Sequence, residues 1–170
     1  IKINKKKYTL DHPVKTYLFL GTDKSGNEEA TDDEYQGSMA DALMLVVIDE
    51  QEKSYGILQL NRDTITEVPM LLADGTANAS AKMQLCTAHW YGKDKTASCE
   101  NTVNTVSKML GGVPIDGYYA LQMEAMSLLN HEVGGVTVTL EDDMTSLDPE
   151  MKKGTTLTLT DHQAELLIQT

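Results

Sequence analysis

The chain has 170 residues, with 14 basic against 26 acidic side chains and a formal net charge of −12. That length suits one hydrophobic core held without a metal or disulfide, and 41 % apolar with 24 % charged residues argues against wholesale disorder. An acidic surface repels phosphate backbones, so nucleic acid is set aside as a partner. No apolar run reaches the roughly 20 residues of a membrane-spanning helix. Thirteen of the basic residues are lysines, and Arg62 is the only arginine.

The chain opens on Ile1 without an initiating Met, and Lys5–Lys7 follow. Residues 1–14 therefore read as an N-terminal tail or linker and the whole as an excised ectodomain. Tyr17–Leu20, closed by Gly21, reads as a buried strand. The residues from Glu28 to Glu34 form an acidic insertion without EF-hand spacing. Leu43–Ile48 is a second strand and Tyr55–Leu60 a third, joined by the charged turn Asp49–Lys53, which predicts a hairpin. Continuous apolar runs of this kind suit strands covered on both faces.

Cys86 and Cys99 enclose a polar segment. They are either two separate buried thiols or a disulfide across a loop of about 15 residues. Trp90 and Tyr91 beside Gly92 close a helix end. Ser98 is read as an N-cap with Glu100 in the first turn, and Val103, Val106, Met109 and Leu110 mark one helical face that Gly111-Gly112 ends. Met83, Met109, Met123 and Met126 are placed on helical positions as core or pocket lining. Tyr118–Leu121 predicts a strand, Met123–Leu129 a short helix, and Val136–Leu140 and Thr155–Leu159 two more strands. Thr160 and Gln163 have capping-box spacing ahead of a helix that is cut off at Thr170. Strands interleaved with helices make one α/β domain over residues 15–170, a three-layer α/β/α arrangement.

Three positions carry candidate chemistry. Asp23 follows the first strand and Asp41 precedes the second. If those strands pair, the two carboxylates converge at one sheet edge, where Mg²⁺ would relieve their repulsion. Two solvated turn aspartates would have the same spacing. Arg62-Asp63 follows the third strand. A lone arginine there suggests a need for the planar guanidinium fork, which grips phosphate bidentately as lysine cannot. A surface Arg–Asp pair is the simpler alternative.

Taken in order, Leu18–Asp23, Asp41–Val46, Leu60–Thr64, Pro114–Tyr119, Val133–Val138 and Gly154 through Gln163-Ala164 resemble the LytR–CpsA–Psr family, from about Tyr17 to Thr170. The resemblance implies a central mixed β-sheet with helices on both faces and a hydrophobic pocket for a polyprenyl tail. It implies a domain outside the cell, at the extracellular face of the cytoplasmic membrane or in the cell wall, behind a missing N-terminal membrane anchor. The implied activity is transfer of a glycopolymer, a teichoic acid or capsule, from a polyprenyl-pyrophosphate carrier to peptidoglycan with Mg²⁺. By motif, Asp23 and Asp41 become metal ligands and Arg62 and Asp63 catalytic residues. Arg62 and Gln163 become substrate-binding residues. Three positions depart from the family pattern. Met39 and Gln169 stand where arginine is usual, and Asn61 where proline is. A catalytically degenerate binder of polyprenyl lipid or envelope polymer is the alternative.

Overall fold

The computed structural model describes residues 2–3, 6–7, 12–22, 37–72, 74–122 and 125–168. Asp23, the acidic insertion, Met123 and Gln169 lie outside them. Contacts divide the chain into two compact units, Ile1–Leu121 and Gln122–Thr170.

In the first unit, β1 (Lys2–Ile3) and β2 (Lys6–Lys7) form a short antiparallel pair within the stretch expected as a tail. The main sheet has the order β5-β4-β3-β8. It comprises β3 (Lys15–Thr22), β4 (Ala40–Asp49), β5 (Ser54–Leu60) and β8 (Gly117–Gln122). β3–β4 and β4–β5 are antiparallel, and the predicted hairpin turn joins the latter pair. Asp49 Oδ1 stops β4 by accepting from the N–H groups of Gln51 (3.1 Å) and Glu52 (2.9 Å). Along β3 and β8 the partners advance together. Thr16 bonds Asp116, Gly117 lies against the Tyr17 ring, and the Phe19 and Tyr119 rings stack at 5.0 Å. That pairing is parallel, so the central sheet is mixed, as the α/β expectation requires. Asp116 is the staple. Its Oδ2 accepts from the Thr16 N–H (2.7 Å) and hydroxyl (3.2 Å), and the backbone donor holds its carboxyl below the usual range.

One face of this sheet builds the core. Leu18, Leu20, Leu43, Leu45 and Leu60 pack with Leu85, Cys99 and Val106. The last two belong to α1 (Lys95–Met109), which the 3-10 helix Leu85–Trp90 precedes. Gly111 and Gly112, both at positive φ, end α1 as expected, with the Gly112 N–H reaching the Ser107 carbonyl at 2.8 Å.

Three details differ from expectation. The helix begins four residues earlier than Ser98 predicts: Asp94 is the N-cap, accepting from the Ala97 N–H at 2.8 Å, and Ser98 is fully buried. Its place inside the helix follows from Gly92, where a Cβ would meet the Ser98 nitrogen at 2.5 Å. The hairpin β6 (Ile65–Leu71) and β7 (Ala77–Gln84) was not expected, and it places Met83 on a strand, not a helix. Both cysteines are free thiols.

The second unit holds α2 (Ala125–Glu132), the antiparallel pair β9 (Thr137–Thr139) and β10 (Thr156–Thr158), and α3 (Asp161–Ile168). Buried Asn130 organises it. Its amide nitrogen donates to the Leu159 carbonyl (3.0 Å) and to Asp161 (2.9 Å), and its oxygen accepts from the Val136 N–H (3.0 Å). Among the described residues no helix is long and apolar enough to cross a membrane.

If Asp94 is the cap of α1, Asp94→Ala lowers stability by about 1 kcal/mol, whereas Glu100→Gln in the helix changes it by less than about 0.5 kcal/mol. Urea denaturation measures both.

Candidate functional site

The β4–β5 register determines where Arg62 goes. Leu43 pairs with Leu60 and Leu45 with Leu58, so Asp41 and Arg62 are each two residues beyond the last core pair at the same end of the ladder. The ladder is irregular at this point: Gly21 pairs with Ala42 and Thr22 with Ala40, so Asp41 is the extra residue of a bulge between the buried Ala40 and Leu43. There an Arg62 Nη1 donates to Asp41 Oδ1, and the pair is partly buried.

The rest of the guanidinium is surrounded by sulfur and by Asp63. Nη2 lies 3.7 Å from Met39 Sδ and 3.8 Å from Cys86 Sγ, and Nε lies 3.9 Å from Asp63 Oδ1. The backbone is fixed as well, because the Cys86 N–H donates to the Arg62 carbonyl at 3.0 Å. Asp63 is more open. An Asx turn aims it, with its N–H on Asn61 Oδ1 (2.8 Å), and Gln84 Nε2 donates to its carboxylate (2.9 Å). Asn61 therefore does by hydrogen bonding what a proline does there by restricting φ. Arg62 retains 39 % of its side-chain exposure, and apart from the Asp41 bond its Nη2 is bordered only by the weak sulfur acceptors. Such an edge accepts a phosphate without giving up its carboxylate partner.

Sequence reading brings Asp41, Arg62 and Asp63 together, and the structure does too. Asp23 lies outside the described residues. Gln163 sits in the second unit, where its role is local. Its Oε1 accepts from the Thr160 N–H (3.1 Å) and its own N–H donates to Thr160 Oγ1 (3.2 Å), the expected capping box. Among the described residues no group of three or more His, Cys, Asp or Glu side chains gathers as a metal cluster. The donor chemistry of Asp41 nevertheless suits Mg²⁺, a hard cation that binds through one or two carboxylates and completes its shell with phosphate and water.

Sequence reading missed the neighbours of this site on the 3-10 helix. Cys86 touches Arg62, and His89, one turn on, is 6 % exposed. The Nδ1 of His89 lies 2.8 Å from the Ser38 carbonyl, and its Nε2 lies 3.6 Å from Cys99 Sγ. Burial keeps His89 neutral by lowering its pKa, and burial pushes the Cys99 thiol up to about 11. Periodicity carries no sign of either contact, since they join segments far apart in sequence.

The LytR–CpsA–Psr family profile matches residues 2–166, and the chain belongs to that family. It is 28 % identical over 148 residues to the polyisoprenyl-teichoic acid–peptidoglycan teichoic acid transferase TagU of Bacillus cereus, covering 87 % of this chain and 41 % of TagU. The crystal structure of Bacillus subtilis TagV superposes with a TM-score of 0.66 at 24 % identity, over 92 % of this chain and 55 % of that one. The crystal structure of the Streptococcus agalactiae protein gbs0355 gives a TM-score of 0.67 at 22 % identity, over 90 % and 50 %. This chain thus spans about half or less of the length of these relatives.

The buried pair makes stability depend on pH in both directions. Below the ordinary histidine value of 6.5 the unfolded chain takes a proton that folded His89 refuses, so stability falls as pH drops toward the lowered folded value. Above the ordinary thiol value of 9.0 the unfolded thiol ionises while folded Cys99 does not, so stability falls between pH 9.0 and about 11. Denaturant midpoints measured across pH should show His89→Asn flattening only the acid limb and Cys99→Ala only the alkaline one.

Proposed function

We propose that this chain is a cell-envelope glycopolymer transferase. In this reading it acts at the extracellular face of the membrane on a polyprenyl-pyrophosphate-linked glycopolymer and attaches it to peptidoglycan. The observation that carries the reading is the placement of the chain's only arginine: the β4–β5 register sets Arg62 against Asp41 at the open end of the sheet, in a member of this family.

The roles in this reading come from the family motif, and the contacts of Arg62 and Asp63 support them. Arg62 grips the pyrophosphate through the guanidinium donors that Asp41 does not take and offsets charge that develops on the phosphoryl oxygens. Asp63, aimed by Asn61 and Gln84, accepts the proton of the attacking acceptor hydroxyl. The hydroxyl oxygen forms a bond to the phosphorus that bears the glycan. The bridging P–O bond breaks, and polyprenyl phosphate leaves with the electron pair. Asp41, with Asp23 by motif, would hold Mg²⁺, which when bound neutralises phosphate charge. Gln163 is assigned to substrate binding by the same motif.

The apolar face supports a tail-binding role for the opposite side of the sheet. Tyr17, Phe19, Met44, Val46, Ile57 and Tyr119 alternate with the core residues and lie on that side. Ile57 is 59 % and Tyr119 54 % exposed, an apolar area of the kind that marks a binding surface. Along β4 the face runs from Met44 to Ile48, roughly 14 Å at strand rise. At its end is an open groove of about 420 Å³ where Val46, Ile48 and Tyr55 meet the charged turn residues Asp49, Glu50 and Lys53.

The alternative, a degenerate binder of polyprenyl lipid or envelope polymer, is favoured by one contact. Met39 places a neutral sulfur beside Nη2 where the family pattern has a second arginine.

Release of polyprenyl phosphate from a short-chain polyprenyl-pyrophosphate glycan tests the assignment. Turnover should require Mg²⁺, and Arg62→Ala should reduce it about 10²-fold or more, with Arg62→Lys restoring little. Lipid binding without turnover would decide for the alternative, and unchanged turnover by Arg62→Ala would overturn the role of Arg62.

A further inference from the structure

The 3-10 helix Leu85–Trp90 touches the Arg62 site at two points, one turn apart. At one, the Cys86 N–H donates to the Arg62 carbonyl at 3.0 Å and Cys86 Sγ lies 3.8 Å from Nη2. At the other, His89 Nδ1 lies 2.8 Å from the Ser38 carbonyl. Residues i and i+3 eclipse in a 3-10 helix, so Cys86 and His89 present to the same side. Ser38 immediately precedes Met39 and lies three residues before Asp41, the two residues of the β4 end that contact the guanidinium. One short helix therefore grips both halves of the ion pair.

The contact at His89 is built, not incidental. A carbonyl only accepts, so Nδ1 carries the hydrogen and Nε2 is left to accept from the Cys99 thiol at 3.6 Å. The chain ahead of Ser38 is pressed against the same helix. A Cβ on Gly37 would stand 2.3 Å from the His89 carbonyl oxygen and 3.1 Å from both Ser98 Oγ and Trp90 Cα. No side chain fits there, so the entry to β4 has one close seat and one directed hydrogen bond.

We propose that His89 is a positioning residue: its bond to the Ser38 carbonyl sets Met39 and Asp41 against the guanidinium that Cys86 holds from the other end of the helix. The proposal rests on the reading of Arg62 as the phosphate-gripping group, but its test does not need turnover.

Because Arg62 is the only arginine, its side-chain Nε–Hε resonance is unique in a ¹⁵N-labelled spectrum. His89→Asn keeps a donor at the Nδ1 position, His89→Gln moves it to the Nε2 position, and His89→Phe removes it while filling the space. The expected result is an Arg62 resonance unchanged in His89→Asn and displaced in His89→Gln and His89→Phe. Affinity for inorganic pyrophosphate with Mg²⁺, measured calorimetrically, should fall about tenfold in the latter two and be retained in the first. If His89→Phe does not fold, the Asn and Gln variants decide between them. An Arg62 resonance that stays in place in His89→Gln, or that moves equally in His89→Asn and His89→Gln, overturns the proposal. A displaced resonance in a chain that never turns over glycopolymer upholds the positioning role and removes only the transferase reading.

Discussion

The pairing of Leu43 with Leu60 is the constraint on which the site depends. Leu43 and Leu45 are buried against Leu18 and Leu20, and Leu60 joins the same core. In a ladder with a two-residue period, a slip by one position would turn those leucines outward, so burial of several apolar side chains fixes the register. With the register fixed, Asp41 and Arg62 come to the same end of the ladder, and the Cys86 N–H holds the Arg62 carbonyl there at 3.0 Å. An ion pair that is partly open to solvent contributes little stability of its own. The core therefore holds the pair in place, and the pair is available for chemistry.

That separation between what folds the chain and what acts on a ligand recurs in the polar residues. Ser98, Asn101, Thr102 and Thr105 give α1 a buried polar side. Thr102 and Thr105 return their hydroxyls to carbonyls four residues back, at 2.9 and 2.8 Å, while Asn101 ties the helix to the Pro69 and Ala88 carbonyls at 3.0 and 2.8 Å. None of these groups is left to bind a ligand. Asp116 also spends its hydrogen bonds within the fold, joining β3 to β8, and Gln163 Oε1 caps α3. In the family motifs, structural and functional residues are interleaved, and only the contacts of each side chain separate them.

Strand runs with strong apolar character were legible: Tyr17–Leu20, Leu43–Ile48 and Tyr55–Leu60 fall within β3, β4 and β5. So were the glycine stops, because Gly111, Gly112, Gly134 and Gly135 all take positive φ that other residues resist. The β6–β7 hairpin was not legible. Ala77–Gln84 is mostly exposed and weakly apolar, so no two-residue alternation marks it. The start of α1 was displaced because both Asp94 and Ser98 are good caps by composition, and only the close approach of Gly92 decides between them. At the site, residues at strand ends were found because motifs and strand boundaries coincide there. Cys86 and His89 were not, since their significance lies in contacts to Arg62 and Ser38, 24 and 51 residues away.

The single arginine now has a physical setting that explains its isolation. A guanidinium surrounded only by carboxylates in a chain of net charge −12 would be fully neutralised and would repel an incoming anion. Here Nη1 meets Asp41 and Nε lies 3.9 Å from Asp63, while Nη2 is bordered by two sulfurs, which are weak acceptors and leave its hydrogens underused. Neither sulfur carries a formal charge, and each competes only weakly for the donor. An oxygen of a pyrophosphate is a far stronger acceptor than either thioether or thiol, and it gains the donors that the sulfurs do not satisfy. On the proposed reading, Met39 leaves the Nη2 hydrogens of Arg62 available to an anion.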